Sequence, residues 1–115
     1  MARFTTLLSG SSGNATYIGT SHSGLLVDAG ANCKTLMAQL KGNEIQPAHL
    51  RGLLITHTHS DHISALRVFL KQVPLPIYGT RQTLEILAMR DLVPPTARLV
   101  ETGDHFEVDD FQVRR

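Results

Sequence analysis

The apolar positions of this chain change period several times, and each change marks an element. Residues 4–8 and 15–18 are short β-prone runs on either side of SGSSGN (residues 9–14). Glycines and small polar residues suit a turn, so the chain is expected to start with a β-hairpin. Leu25, Leu26 and Val27 form a third strand that ends in Asp28, Ala29 and Gly30. Cys33, Leu36, Met37 and Leu40 then recur at the i, i+3, i+4, i+7 spacing of one helix face, with Gly42 as the expected stop. Leu53, Leu54 and Ile55 show no polar alternation, as expected of an interior strand covered on both faces. A second helical stripe, Ile63, Leu66, Phe69, Leu70 and Val73, closes at Pro74. PIYG (residues 76–79) follows as a strand, and Leu84, Leu87 and Ala88 lie on a further helix. After Pro94 and Pro95 the pattern turns to β-like pieces at residues 98–100, 106–108 and 111–113, with Gly103 and Asp109-Asp110 as turn signals.

Strand, helix, strand, helix is the rhythm of a mixed α/β architecture, in which chemistry collects where strands end. Asp28 and residues 57–62 both fall at such ends. Composition narrows the picture. At 115 residues the chain fits one domain, residues 1–115, and 42% hydrophobic against 18% charged residues is the balance of a soluble globular protein. With 5% aromatic residues the core must be mostly aliphatic. Eleven basic against ten acidic residues, scattered along the chain, leave a net charge of +1 and no basic stripe to announce nucleic acid. The single Cys33 excludes an internal disulfide, and the start MARFTTLLSG lacks a secretory pattern, so a reducing cytoplasm is the expected location. No apolar run approaches the roughly 18 residues that a membrane span needs.

The densest chemistry is LLITHTHSDH, residues 53–62, which packs three of six histidines into six residues directly after an apolar run. Imidazole nitrogens and carboxylate oxygens both suit divalent ions such as Zn²⁺. Residues two apart on an extended chain point the same way, so His57 and His59 are expected to converge on one ion. Asp61 and His62 lie where strand turns into helix and would aim at a neighbouring point, which makes a second ion plausible and with it a two-metal clamp. Ser60 or Asp61 capping the helix that begins near His62 is the competing local explanation, as is a capping pair of Thr58 and Asp61.

The H-x-H-x-D-H run, the preceding LLIT strand and the upstream LLVDAG together resemble the metallo-β-lactamase-fold hydrolases. LLSGSSGNATYI, LLVDAG and THTHSDHISAL are more narrowly similar to the YycJ/WalJ-type branch of metal-dependent exonucleases. The resemblance implies an αββα sandwich, of which this chain is the N-terminal half. It also implies His57 and His59 as ligands of a first metal, Asp61 and His62 as ligands of a second, and Asp28 as the acid that braces the histidine loop. A turn-forming role before Ala-Gly is the alternative for Asp28. Ala65 departs from the pattern, standing where many members have glycine. The implied cofactor is a divalent metal, Zn²⁺ or Mn²⁺, up to two ions in the complete domain. The implied reaction is phosphodiester hydrolysis of DNA by a metal-activated hydroxide, with Asp61 also relaying a proton. Thioester or lactone hydrolysis is the alternative within the same fold, and a non-catalytic metal-binding half-domain the alternative outside it.

SGSSGN offers backbone N–H groups and hydroxyls in a turn, either an ordinary hairpin turn or a concavity for an anion, with Ser11, Ser12 and Asn14 beside the substrate. The family completes its site with a further histidine, a bridging aspartate and a final histidine. His105 is the only histidine after the cluster, and its setting is that of an exposed turn, while His22 and His49 sit in loop-like surroundings expected at the surface. The missing ligands are therefore expected beyond residue 115, and this chain alone is expected to bind metal weakly. Residues 111–114 alternate like a strand at the chain's end, which leaves an edge open to association.

Overall fold

Six strands build one mixed sheet. The computed structural model describes residues 3–10, 13–20, 22–103, 105–108 and 111–114, with residues 3, 60, 61, 105–108 and 111–114 described through the backbone alone. The expected hairpin is present as β1 (Arg3–Leu8) antiparallel to β2 (Ala15–Gly19), which pairs antiparallel in turn with β3 (Gly24–Val27). From there the sheet changes sense. β3 runs parallel to β4 (Leu50–Leu54), β4 to β5 (Ile77–Gly79) and β5 to β6 (Leu99–Glu101), so the order across the sheet is β1-β2-β3-β4-β5-β6. Parallel neighbours need a crossover. It is supplied between β3 and β4 by α1 (Cys33–Gly42) and a 3-10 turn (Pro47–His49). The β4–β5 crossover carries α2 (Ser60–Ile63) and α3 (Leu66–Gln72), and the β5–β6 crossover carries α4 (Arg81–Met89). β7 (His105–Val108) and β8 (Phe111–Arg114) pair antiparallel in a separate two-stranded sheet. The turn signal at Asp109-Asp110 lies outside the described residues.

The helices share one core. Tyr17, Leu26, Leu53, Ile55 and Ile77 from the sheet meet Leu36 and Leu40 of α1, Leu66, Phe69 and Leu70 of α3, and Leu87 of α4. Leu25 and Leu54 point the other way, with Val27 and Tyr78 against them, and are 1% and 4% exposed. Adjacent residues buried on opposite faces explain why there is no polar alternation at Leu25 and Leu26 or at Leu53 and Leu54. The close approaches are made at glycine: a Cβ on Gly52 would lie 2.6 Å from the Tyr78 ring. Among the described residues no helix is long and apolar enough to cross a membrane.

Two local expectations are corrected. The stripe from Ile63 to Val73 is not one helix, because Ala29 N–H donates to His62 O (2.8 Å) and Ala65 N–H donates to Ala29 O (2.9 Å). Those backbone groups would otherwise carry the helical ladder across residues 62–66, so α2 ends and α3 starts afresh at Leu66. Gly42 is also not the stop of α1 but its last residue. The terminus is built by Ile45 N–H on Leu40 O (2.8 Å) and Glu44 N–H on Lys41 O (3.0 Å), with Glu44 at φ 60° in the position that glycine usually takes. Glu44→Gly is therefore expected to stabilise the protein by about 0.5–1 kcal/mol, the left-handed strain removed exceeding the added chain entropy. Urea titration measures it, and a lower midpoint for the variant counts against this account of the cap.

Candidate metal centre

The site forms because β3 and β4 are parallel neighbours in register Val27↔Leu54, so the residues just past their ends meet. Asp28 N–H donates to Leu54 O (2.8 Å), and Asp28 itself takes φ 64°, a left-handed conformation that Asp tolerates better than most side chains. The conformation turns a carboxylate back under the histidine loop, where Asp28 is 5% exposed. A carboxylate so buried must be satisfied by donors. Oδ1 accepts Thr56 N–H (2.8 Å), and Oδ2 accepts the Thr56 hydroxyl (2.6 Å) and lies 2.7 Å from His62 Nδ1.

Those contacts determine the histidines. A carboxylate only accepts, so His62 carries its proton on Nδ1, and in the neutral ring the lone pair is then on Nε2. Thr56 Oγ1, its own proton given to Asp28, lies 3.0 Å from His57 Nδ1 and accepts from it, which puts the His57 lone pair on Nε2 as well. One buried carboxylate thus sets the tautomer of two imidazoles, one directly and one through a hydroxyl. The His57 and His62 ring centroids are 4.7 Å apart. Asp28, His57 and His62 each offer a ligand atom within 4.8 Å of the others, a donor set suited to a divalent cation. Asp28 has both oxygens engaged, so within this trio it is the orienting group and the imidazoles are the donors that fit the ion.

The expected site residues are brought together unequally. Asp28, His57 and His62 converge, whereas His59 is exposed and outside that trio, its ring nearly parallel to that of His57 (20°) with centroids 6.1 Å apart. β4 ends at Leu54, so both rings are carried by the loop beyond the strand. The Asn14 side chain donates to Gly10 O (3.0 Å), while the Asn14 backbone carbonyl accepts Gly30 N–H (3.0 Å). Ser11, Ser12 and the side chains of Asp61 and His105 lie outside the described residues. His22 is exposed and His49 half-buried, the two rings 6.0 Å apart, and neither joins the trio. Two contributors escaped the sequence. Thr56 links Asp28 to His57, and Arg90 Nη1 donates to Thr58 O (3.3 Å), the carbonyl between the first two histidines of the loop. The one thiol, Cys33, is buried in the core, and burial raises its pKa.

Comparison with known proteins gives the family of the chain. The family model of the metallo-beta-lactamase superfamily matches residues 8–114. The chain is 44% identical to exodeoxyribonuclease YycJ of Bacillus anthracis over 119 aligned residues, 96% of this chain and 44% of that protein. It is 38% identical to exodeoxyribonuclease WalJ of Streptococcus pneumoniae serotype 2 (strain D39 / NCTC 7466) over 85 residues, 74% of this chain and 32% of that protein. The chain therefore spans less than half the length of these relatives. Among solved structures, the metallo-beta-lactamase fold protein YhfI from Bacillus subtilis superposes with a TM-score of 0.73 at 21% identity, covering 97% of this chain and 51% of that one.

Proposed function

This chain belongs to the metallo-beta-lactamase superfamily, and from that premise we propose that the protein is a divalent-metal-dependent exodeoxyribonuclease. The observation that carries the reading is the Asp28 carboxylate holding His62 directly and His57 through Thr56, which puts the lone pair of each neutral imidazole on Nε2, the donor atom a cation would take. The 44% identity to YycJ supports DNA as the substrate. In this reading His57, His59, Asp61 and His62 hold up to two ions, Zn²⁺ or Mn²⁺, both compatible with imidazole and carboxylate donors. Residues matching the remainder of the longer relatives complete the site. When bound, the cations supply charge stabilisation at the phosphodiester and acidify water.

The chain's own residues do the rest. Asp28 accepts a hydrogen bond from His62 Nδ1 and so holds that ring's tautomer and orientation, and Thr56 does the same for His57. Asp61, one residue before His62, is the group assigned to relay a proton as well as to bind metal. Ser11, Ser12 and Asn14 are assigned to the phosphate side of the site on the turn-like composition of SGSSGN.

The test is nucleotide release from end-labelled linear DNA by the protein at its natural length. Activity should disappear in EDTA, return with Mn²⁺ or Zn²⁺, and fall by at least about 100-fold in His57→Ala and His62→Ala. Release that persists after chelation, or its absence with every divalent ion, sinks the assignment.

A further inference from the structure

Arg90 sits where α4 meets the histidine loop, bonded to that loop but outside the Asp28, His57 and His62 trio. It is the C-cap of α4, fixed by its own N–H on Ile86 O (3.0 Å) and by Leu92 N–H on Leu87 O (3.0 Å), with Asp91 at φ 55°. From that anchored backbone the exposed side chain reaches back so that Nη1 donates to Thr58 O at 3.3 Å. That is a long bond to a neutral acceptor, made by a group with five N–H donors in a planar fork. No other polar partner of the Arg90 side chain is found among the described residues. The nearest acid in sequence, Asp91, faces Arg67 at 3.7 Å instead. Other arginines point their forks elsewhere: Arg81 to Glu101 (3.3 Å) and Arg51 to Ala48 O (3.2 Å).

A guanidinium tied by one weak bond to the loop between His57 and His59 is a partly used fork at the rim of the candidate site. Its best-matched partner is an oxyanion taken bidentately. In a chain of net charge +1, one such contact matters for holding DNA. We infer that Arg90 is a substrate-contact residue that grips a backbone phosphate of the DNA strand next to the bond being cut, with the Thr58 carbonyl aligning its fork. The inference rests on the nuclease reading and adds to it the residue that sets strand affinity.

Binding of an end-labelled single-stranded oligothymidylate in Ca²⁺, followed by fluorescence anisotropy across a salt series, tests it on the protein at its natural length. Arg90→Gln is expected to raise Kd about ten-fold and to flatten the slope of log K against log salt by about 0.7, the loss of one phosphate contact. KM for cleavage should rise while kcat and Zn²⁺ affinity hold. Arg90→Lys should recover the slope but only part of the affinity, because it keeps the charge and loses the fork. Arg51→Gln, which removes the same charge at the other end of β4, should leave the slope unchanged. A wild type that binds, with Arg90→Gln matching its slope, overturns the inference and leaves the nuclease reading standing. The same holds if Zn²⁺ affinity falls while the slope does not, for then Arg90 only positions the loop. A wild type that neither binds nor cuts DNA removes both.

Discussion

Asp28→Asn is expected to leave the protein folded and to weaken divalent-cation binding by about 100-fold, the upper end of what loss of an orienting partner costs a metal site. The amide oxygen can keep the bond that Oδ1 accepts from Thr56 N–H, and asparagine tolerates the left-handed backbone at φ 64°. The amide nitrogen must then take the place of Oδ2, against the Thr56 hydroxyl and His62 Nδ1. A nitrogen that only donates forces His62 into the tautomer with its proton on Nε2, so the lone pair faces the amide instead of the ion. The hydroxyl of Thr56 turns away from residue 28 at the same time, and the His57 tautomer is no longer set. The fold loses about 1–3 kcal/mol, the range for hydrogen bonds to a charged group. Asp28→Ala should cost more, because it orphans Thr56 N–H as well. Competition against a chromophoric chelator reads the affinity and a thermal melt reads the fold. Wild-type affinity in a folded Asp28→Asn protein would falsify the bracing role and reduce Asp28 to a turn residue.

The elements were legible in the sequence because each is announced by its own residues: the short β-prone runs of β1 and β2, the apolar runs at residues 25–27 and 53–55 in and after β3 and β4, the stripe of Leu36 and Leu40. Asp28 and the histidine loop were legible for the same reason, since both follow directly on apolar strands. What was hidden depends on register between segments far apart. Thr56 looks like the last β-prone residue of LLIT. Only the pairing Val27↔Leu54 brings its N–H and hydroxyl onto a carboxylate 28 positions earlier. The interruption between α2 and α3 likewise has no local cause, for the residues around Ser64 and Ala65 continue a helical stripe. It follows from Ala29 taking the backbone groups of His62 and Ala65 for itself. His57 and His59 both lie beyond the end of β4, so the loop and not the strand period sets how their rings stand. Pattern thus gives the parts and their order. The hydrogen bonds that aim the imidazoles come from crossovers that pattern does not contain.

Gly13→Ala is expected to cost about 2–3 kcal/mol, a fall in Tm of roughly 10 °C, although it adds a single methyl group. The added Cβ would lie 2.5 Å from Ala31 N, 2.7 Å from Ala31 Cβ and 3.0 Å from Ala31 Cα. The obstacle is largely backbone, which no side-chain rotation relieves. Ala31 is already at φ 59°, and Gly30 N–H is tied to Asn14 O at 3.0 Å, so the β1–β2 turn and the turn after Asp28 are pressed together with no slack. Forcing them apart breaks that bond and shifts the segment that carries Asp28, so cation affinity should fall together with stability. Here Gly13 acts as the support behind the segment that carries Asp28. Ala31→Gly combined with Gly13→Ala should be about 1 kcal/mol more stable than the sum of the separate effects, since the Ala31 Cβ that the new methyl group meets is gone. Relief of the left-handed strain belongs to Ala31→Gly alone and cancels in the cycle. Strict additivity in that cycle, or a Gly13→Ala protein that melts like wild type, would show that the close approach does not hold Asp28 in place and that the turn is joined to the metal site through Asn14 O alone.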